Sequence, residues 1–379
     1  MTGQARPETE GLVRSPLPTP MLQPWEVFDQ DLFDLEMVRV FGRSWVWLGD
    51  TEDLSSPGDY LTGSIGYQRV LVVRTTDGAI KGFLNTCRHR ASPVLLEETG
   101  HCKASMTCPY HSWSYDLDGR LIGIPDRQRM YPDGIPMEEY GLVPIRIEVA
   151  WGKLVFGCLS RRAPSFREWI APLAERYDSY RFDTFTRYAR QLDQTYPINW
   201  KSFVENSNDD YHVRFVHRRL NDQRRSLDTI VRFAGRTCSG YKPHPETFDM
   251  SGGRTDLAEQ DRRGHYADFI YPNLTPLPYA TVLILVRADP LAPDRTRLVS
   301  RIYGVGRSME EQEADLANLE VTNAEDTDMV TKLMANLRSP FFRVGPPTLW
   351  EGRAAHVMRL VREDVATPLA ADEFEVVES

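Results

Sequence analysis

The sequence predicts an α+β chain in which a small all-β domain precedes a larger domain of helices covering an antiparallel sheet. Three observations carry this. Short β-rich runs flank Asp77-Gly78 and Asp118-Gly119 before residue 158, and each reads as a hairpin. Farther on, residues 281–286 and 297–303 read as an antiparallel strand pair. Residues 309–337 then space Leu316, Leu319, Met329, Leu333 and Leu337 as one long helix does. At 379 residues the chain is long enough for two domains and a large core. The expected division is an arm and helix over 1–44, a β domain over 45–158 and a larger domain over 159–379.

Taken in order, residues 1–24 are proline-rich with little apolar content and read as an arm. Phe28, Leu32, Leu35, Val38 and Phe41 predict a helix over 25–41. Strands are expected at 70–73 and 80–84, at 113–117 and 121–124, and at 153–158. Beyond them, 166–180 and 199–216 read as helical. Residues 240–268 are polar and rich in Gly and Asp, which predicts a long loop. The last fifteen residues are acidic and predict a loose tail.

Composition narrows the function classes. A net charge of −9 leaves no basic stripe for a nucleic-acid backbone. The apolar runs are too short to span a bilayer, and no charged-then-apolar leader opens the sequence. Five cysteines, an odd number, fit a reducing, cytoplasmic setting better than a disulfide framework.

Two short ligand pairs stand out, Cys87-x-His89 and Cys108-x-x-His111. Two thiolates and two imidazoles suit a structural zinc ion or a two-iron, two-sulfur cluster of Rieske type, where one iron takes both cysteines and the other both histidines. Zinc pairs usually keep like ligands together, so the mixed pairs favour the cluster. Cys-x-His in an extended loop points both side chains one way, whereas Cys-x-x-His suits a tight turn. Cys102 has Ser105 three residues on and forms no further pair, so it reads as a free thiol, and His101 as a surface histidine. CRHRAS and CPYHSW resemble the N-terminal domain of the Rieske non-haem iron aromatic-ring-hydroxylating oxygenase alpha subunits. Ser92 and Tyr110 stand where the respiratory-complex type carries a disulfide.

A second constellation, NWKSFVENSNDDYHVRFVH, runs from Asn199 to His217. Its plain reading is a satisfied polar helix face. Asp209 and His212 share one side of a helix, but His212 and His217 lie about 140° apart around an ideal one. To meet at one metal, either the helix winds wider or His217 lies beyond its end. Two histidines and a carboxylate form the facial triad of non-haem iron oxygenases. The stretch is similar to the oxygenase family's catalytic-helix pattern, and the resemblance runs from Phe41-x-x-Ser44-Trp45 to the C-terminus. It implies that His212 and His217 bind iron and that Asp209 bridges to cluster histidine His111 of a neighbouring subunit. It implies Asp326 as third ligand, from Glu325-Asp326 followed by Leu337-Arg338-Ser339, with Asp328 as the rival. Met334 and Asn336 depart from the family pattern outside the ligand set.

The same resemblance implies a helix-grip, START-like catalytic fold with one 2Fe-2S cluster and one Fe(II) per subunit. It implies a homotrimer and a dioxygen reaction. Electrons would come from NAD(P)H through a reductase, with or without a ferredoxin, since no G-x-G-x-x-G follows a strand. Asn206, Val213 and Phe215 are expected near the substrate. Arg218, Arg219, Arg224 and Arg225 form a basic run that suits either a solvated loop or a carboxylate clamp. The motifs look closer to the salicylate and terephthalate type than to the quaternary-amine type, so an aromatic carboxylate is the expected substrate. Oxidative demethylation or monooxygenation of a non-aromatic amine or natural product is the alternative, and an electron-transfer-only protein the last. His244 and His265 read as surface residues and His356 as packed.

Overall fold

The computed structural model describes residues 21–218, 229–244 and 251–374. The chain divides into two compact units, one of residues 31–168, 181–183 and 363–379, the other of 1–30, 169–180 and 184–362.

The first unit is built on a seven-stranded antiparallel sheet. Its strands run, edge to edge, Val46–Asp50, Leu154–Cys158, Pro144–Ala150, Ile80–Leu84, Gln68–Arg74, Asp59–Ile65 and Thr99–His101. Val70, Leu71, Val72 and Val73 are all fully buried, so this strand is apolar on both faces and shows no alternation. Both glycine turns lie where expected. Gly78 and Gly119 take φ of 88° and 83°, which glycine adopts without steric cost. A smaller sheet of Ser105–Thr107, Ser114–Asp116 and Leu121–Gly123 carries the second ligand pair at its first turn.

Three local expectations change. The 25–41 helix is broken: Asp29 turns extended after Pro24–Phe28, and a second helix, Gln30–Glu36, runs into a π-turn at Met37–Phe41. That wider winding buries Met37, Val40 and Phe41 together. The 166–180 helix is interrupted at Ile170. The tail is anchored as far as Phe374, which bridges Ser160, while buried Glu373 takes the Ser160 hydroxyl and pairs with Arg43.

The second unit has an eight-stranded antiparallel sheet. Arg295–Gly304, Val282–Ala292, Leu274–Pro278, Gly264–Ile270, Thr237–Pro243 and Ile230–Ala234 follow one another across it. Here the loop expected over 240–268 is corrected at its two ends, where Thr237–Pro243 and Gly264–Ile270 are paired strands; between them the described residues are irregular apart from the short helix Glu259–Arg262. Their polar residues are inside because they have partners. Asp268, fully buried, takes the Arg176 guanidinium at 2.5 Å and the Tyr177 hydroxyl at 2.7 Å. The helix Met309–Leu337 spans the bounds expected of it, and Ser308 and Glu311 close its start as a capping box. Asn323 donates to Ser300 on the sheet at 3.2 Å. No helix among the described residues is long and apolar enough to cross a membrane.

The Asn85 side chain closes the loop that holds the first ligand pair. Its oxygen accepts the Val94 and Leu95 amides at 2.8 and 3.0 Å, and its nitrogen donates to the Leu95 carbonyl at 2.8 Å. At about 1 kcal/mol per bond, Asn85→Ala should cost about 2–3 kcal/mol in urea unfolding. An unchanged midpoint would show that the loop holds without it.

Candidate metal centres

The first centre is made by two loops of the same build. In one, the Cys87 amide donates to Ser92 O at 2.8 Å and the Ala91 amide returns to Cys87 O at 3.0 Å. In the other, Cys108 donates to Trp113 O at 2.8 Å and Ser112 returns to Cys108 O at 3.0 Å. Ala91 and Ser112 both take φ of 57°, the left-handed corner that closes each turn. The first pair is therefore not extended. Both pairs sit in matching turns, with histidine two residues on in one and three in the other.

Cys87 and Cys108 are buried, His89 half-buried and His111 exposed. The His89 ring stacks on Trp113 at 4.9 Å and meets the His111 ring edge-on at 4.6 Å. Burial pushes the Cys87 thiol up, opposed by the Tyr115 hydroxyl at 3.3 Å and the His89 amide. Cys108 comes out lowered: burial is outweighed by the Tyr110 and His111 amides and by the neighbouring Cys87 thiol. Amides aimed at sulfur suit thiolate ligands. His89 Nδ1 is buried and has no hydrogen-bond partner among the described residues, as an atom reserved for a metal would be. A single zinc ion would draw all four groups to one point. The one such convergence among the described residues is elsewhere.

That convergence is His212, His217 and Asp326. Asn199 caps the helix Trp200–Ser207 by accepting the Lys201 amide at 2.9 Å, and Trp200, Phe203 and Val204 pack its inner side. The helix stops at Asn208, and a short helix, Val213–Val216, follows His212. His217 lies just past its end at φ −92°, ψ 62°, which removes the 140° separation an unbroken helix would impose. The helix ends and does not widen.

The three donor atoms form a near-equilateral triangle. His212 Nε2 and His217 Nε2 are 3.3 Å apart, and Asp326 Oδ1 is 3.3 and 3.0 Å from them. Bonds of about 2.1 Å at right angles would give edges of about 3.0 Å, and at tetrahedral angles about 3.4 Å, so one ion suits all three. The other imidazole nitrogens are held by acids. His212 Nδ1 is 3.2 Å from Asp209 and His217 Nδ1 is 2.7 Å from Glu325. Proton-bearing Nδ1 atoms facing carboxylates leave the Nε2 lone pairs for a metal. Buried Asp326 Oδ1 has no hydrogen-bond partner among the described residues, although two ring nitrogens lie so close. Burial would lower His212, yet Asp209 and Asp326 raise it to about 9. The imidazoles hold Asp326 well below the usual carboxylate range despite its burial. The pocket favours positive charge. Asp328 is exposed and tied to Lys332 at 2.5 Å, away from the triangle.

A cavity of about 500 Å³ opens on this centre. Leu277, Ile284 and Val286 of the sheet face Leu319, Thr322 and Asn323 of the long helix across it. Val213 lines it as expected. Asn206 is half-buried outside the lining, and Phe215 is 57% exposed, its ring against Tyr211. Arg218 is exposed, whereas Arg219, Arg224 and Arg225 lie outside the described residues. His244 and His265 are corrected from surface to interior: they are buried, joined at 2.9 Å, and His265 stacks on Tyr279 at the cavity wall. His356 is packed. Sequence reasoning also passed over Glu325, whose only signal was its place beside Asp326.

Loss of an acid that orients a ligating imidazole typically weakens metal binding about 10- to 100-fold. Glu325→Ala should therefore release iron to a competing chelator at correspondingly lower chelator concentration, with the cluster absorbance as internal control. Equal retention would remove Glu325 from the site.

Comparison with known proteins agrees with both centres. Residues 44–141 match the family described as Rieske [2Fe-2S] domain, and residues 175–367 that described as ring hydroxylating alpha subunit (catalytic domain). The chloroplastic choline monooxygenase of Amaranthus tricolor is 28% identical over 330 residues, 84% of this chain and 71% of that protein. The glycine betaine monooxygenase oxygenase subunit of Pseudomonas aeruginosa is 35% identical over 192 residues, 51% of this chain but 43% of its own length. A crystal structure of the quaternary ammonium Rieske monooxygenase CntA in complex with L-carnitine shares the fold. Its TM-score is 0.78 at 20% identity, covering 91% of this chain and 96% of that one. This chain belongs to the family of ring-hydroxylating alpha subunits: it is a Rieske oxygenase terminal component, an oxidoreductase joining a [2Fe-2S] domain to a non-haem iron catalytic domain.

Proposed function

We propose that the chain oxidises a small organic substrate with dioxygen, using electrons that a separate reductase takes from NAD(P)H, directly or through a ferredoxin. The observation that carries this is the triangle of His212, His217 and Asp326 opening on a cavity of about 500 Å³, within the usual range for small-molecule sites. When bound, the cluster supplies single electrons and the iron supplies dioxygen activation.

In this proposal residues 45–158 form the cluster domain, with Cys87, His89, Cys108 and His111 as ligands, and the iron domain lies within 159–379. His212, His217 and Asp326 hold the iron. Asp209 keeps the His212 ring in one orientation while its other oxygen takes the Tyr211 amide at 2.6 Å, so the carboxylate itself is fixed. Asp209 also faces His111 of a neighbouring subunit in a head-to-tail homotrimer, a closed ring in which each chain serves the next. An electron-transfer-only role leaves the second centre without a use.

Two substrate readings have separate support. Monooxygenation or oxidative demethylation of a quaternary amine is supported by the choline and glycine betaine relatives. Hydroxylation of an aromatic carboxylate is supported by the family description and by the aliphatic cavity wall. The test is substrate-dependent oxygen uptake by metal-loaded protein with a surrogate reductase, using labelled dioxygen. Uptake with label in the product is expected. Formaldehyde release selects demethylation and a cis-diol selects ring dioxygenation. No uptake with any amine or aromatic acid, both centres being loaded, contradicts the proposal.

A further inference from the structure

We propose that Lys242 is the receptor for a substrate carboxylate, so that the cavity selects organic acids and zwitterions over neutral or purely cationic molecules. This rests on the oxygenase reading of the site and names its substrate class.

Side chains alternate along Thr237–Pro243, which puts Cys238, Gly240 and Lys242 on one face. Cys238 Sγ meets Asn208, at the end of the iron-site helix, at 3.4 Å. A Cβ on Gly240 would stand 3.1 Å from Arg353 Nε, so glycine makes room for that guanidinium. Lys242 completes the row, its Nζ 2.9 Å from Asp210.

Asp210 is already engaged. Arg353, 1% exposed, donates from Nε and Nη2 to its two oxygens, each at 3.1 Å, and from Nη1 to the Ala267 carbonyl at 2.8 Å. Two cations thus share one carboxylate. The other acids among the described lining residues face cations or rings of their own. Asp315 pairs with Arg307 at 2.9 Å and takes the Tyr188 hydroxyl at 2.8 Å. Asp209 and Asp326 face the imidazoles. Lys242 is therefore the second cation on a carboxylate that Arg353 already holds, and it stands at the wall of the cavity. An ammonium has three donors, and this one, 18% exposed, lines the cavity. An anion from the cavity would meet it.

Among the described lining residues Leu277, Val282, Ile284, Val286 and Leu319 suit an apolar body, and few aromatic faces are offered to a bare quaternary ammonium. Such a group seeks several aromatic faces. Among the described lining residues the Phe and Tyr rings are Phe203 and Tyr279, and Tyr279 already stacks on His265 at 5.3 Å. Both substrate readings accommodate a carboxylate, since glycine betaine has one as well as a quaternary nitrogen.

The experiment is calorimetric titration of protein loaded at both centres with two matched pairs, benzoate against benzamide and glycine betaine against choline. In at least one pair the carboxylate should bind about tenfold or more tightly, and the pair that responds tells aromatic acid from betaine. Lys242→Met should bring that pair within about twofold while Lys242→Arg keeps the preference, with iron content unchanged in both. Removing Lys242 leaves Asp210 and Arg353 as a one-to-one pair, so the fold is expected to survive. No preference in either pair, no binding of any of the four, or a preference that persists in Lys242→Met overturns the proposal. Substrate-dependent oxygen uptake alongside any of those results would leave the oxygenase reading standing.

Discussion

Two imidazoles face one carboxylate oxygen, and each is kept there by a second carboxylate behind it. That arrangement concentrates Asp209, Glu325 and Asp326 around two rings, and gathering so much negative charge costs folding energy unless positive charge balances it. The scaffold is arranged to hold it. The helix breaks at Asn208 so that His217 falls past a helix end, and the capped long helix brings Glu325 and Asp326 to the rings from the other side. The sheet supplies Leu277, Ile284 and Val286 to the wall of the cavity on which the site opens.

The cluster centre follows a different logic. Its candidate ligands come from two loops closed by the same pair of backbone hydrogen bonds and the same left-handed corner, so backbone geometry does there what the acids behind the imidazoles do at the second centre. Packing divides the four groups by exposure. The sulfurs lie inside against Tyr115, while His111 faces out and His89 leans on Trp113. A cluster with cysteines inward and histidines outward offers its histidine side to whatever receives its electrons. The head-to-tail ring proposed above would use that polarity.

Much of this was legible in the sequence, for identifiable reasons. Asp77-Gly78 and Asp118-Gly119 were readable because a positive φ at the turn selects glycine. The long helix was readable because apolar spacing and the Ser308–Glu311 cap agree on it. The ligand pairs were readable because metal chemistry restricts residue types. The strands within 240–268 were not, because Asp268 and His265 are buried polar residues: Asp268 is held by Arg176 and Tyr177 far back in the sequence, and His265 by His244 across the intervening segment. Composition took them for a loop. The Lys242–Asp210–Arg353 cluster joins a strand, a turn and a late helix, and no local pattern announces it. Phe215 shows the opposite failure: neighbouring a proposed ligand put it near the substrate in sequence, yet the short helix Val213–Val216 leaves its side chain exposed.

The central claim is that one chain carries a two-iron cluster and a separate iron held by His212, His217 and Asp326. Iron and acid-labile sulfide counted per chain, alongside the electron paramagnetic resonance of the reduced cluster, test it most directly. The account predicts about three irons and two sulfides per chain, falling to about two irons in Asp326→Ala with sulfide and cluster resonance unchanged. About two irons in the parent protein, or a variant that loses cluster and third iron together, would contradict it.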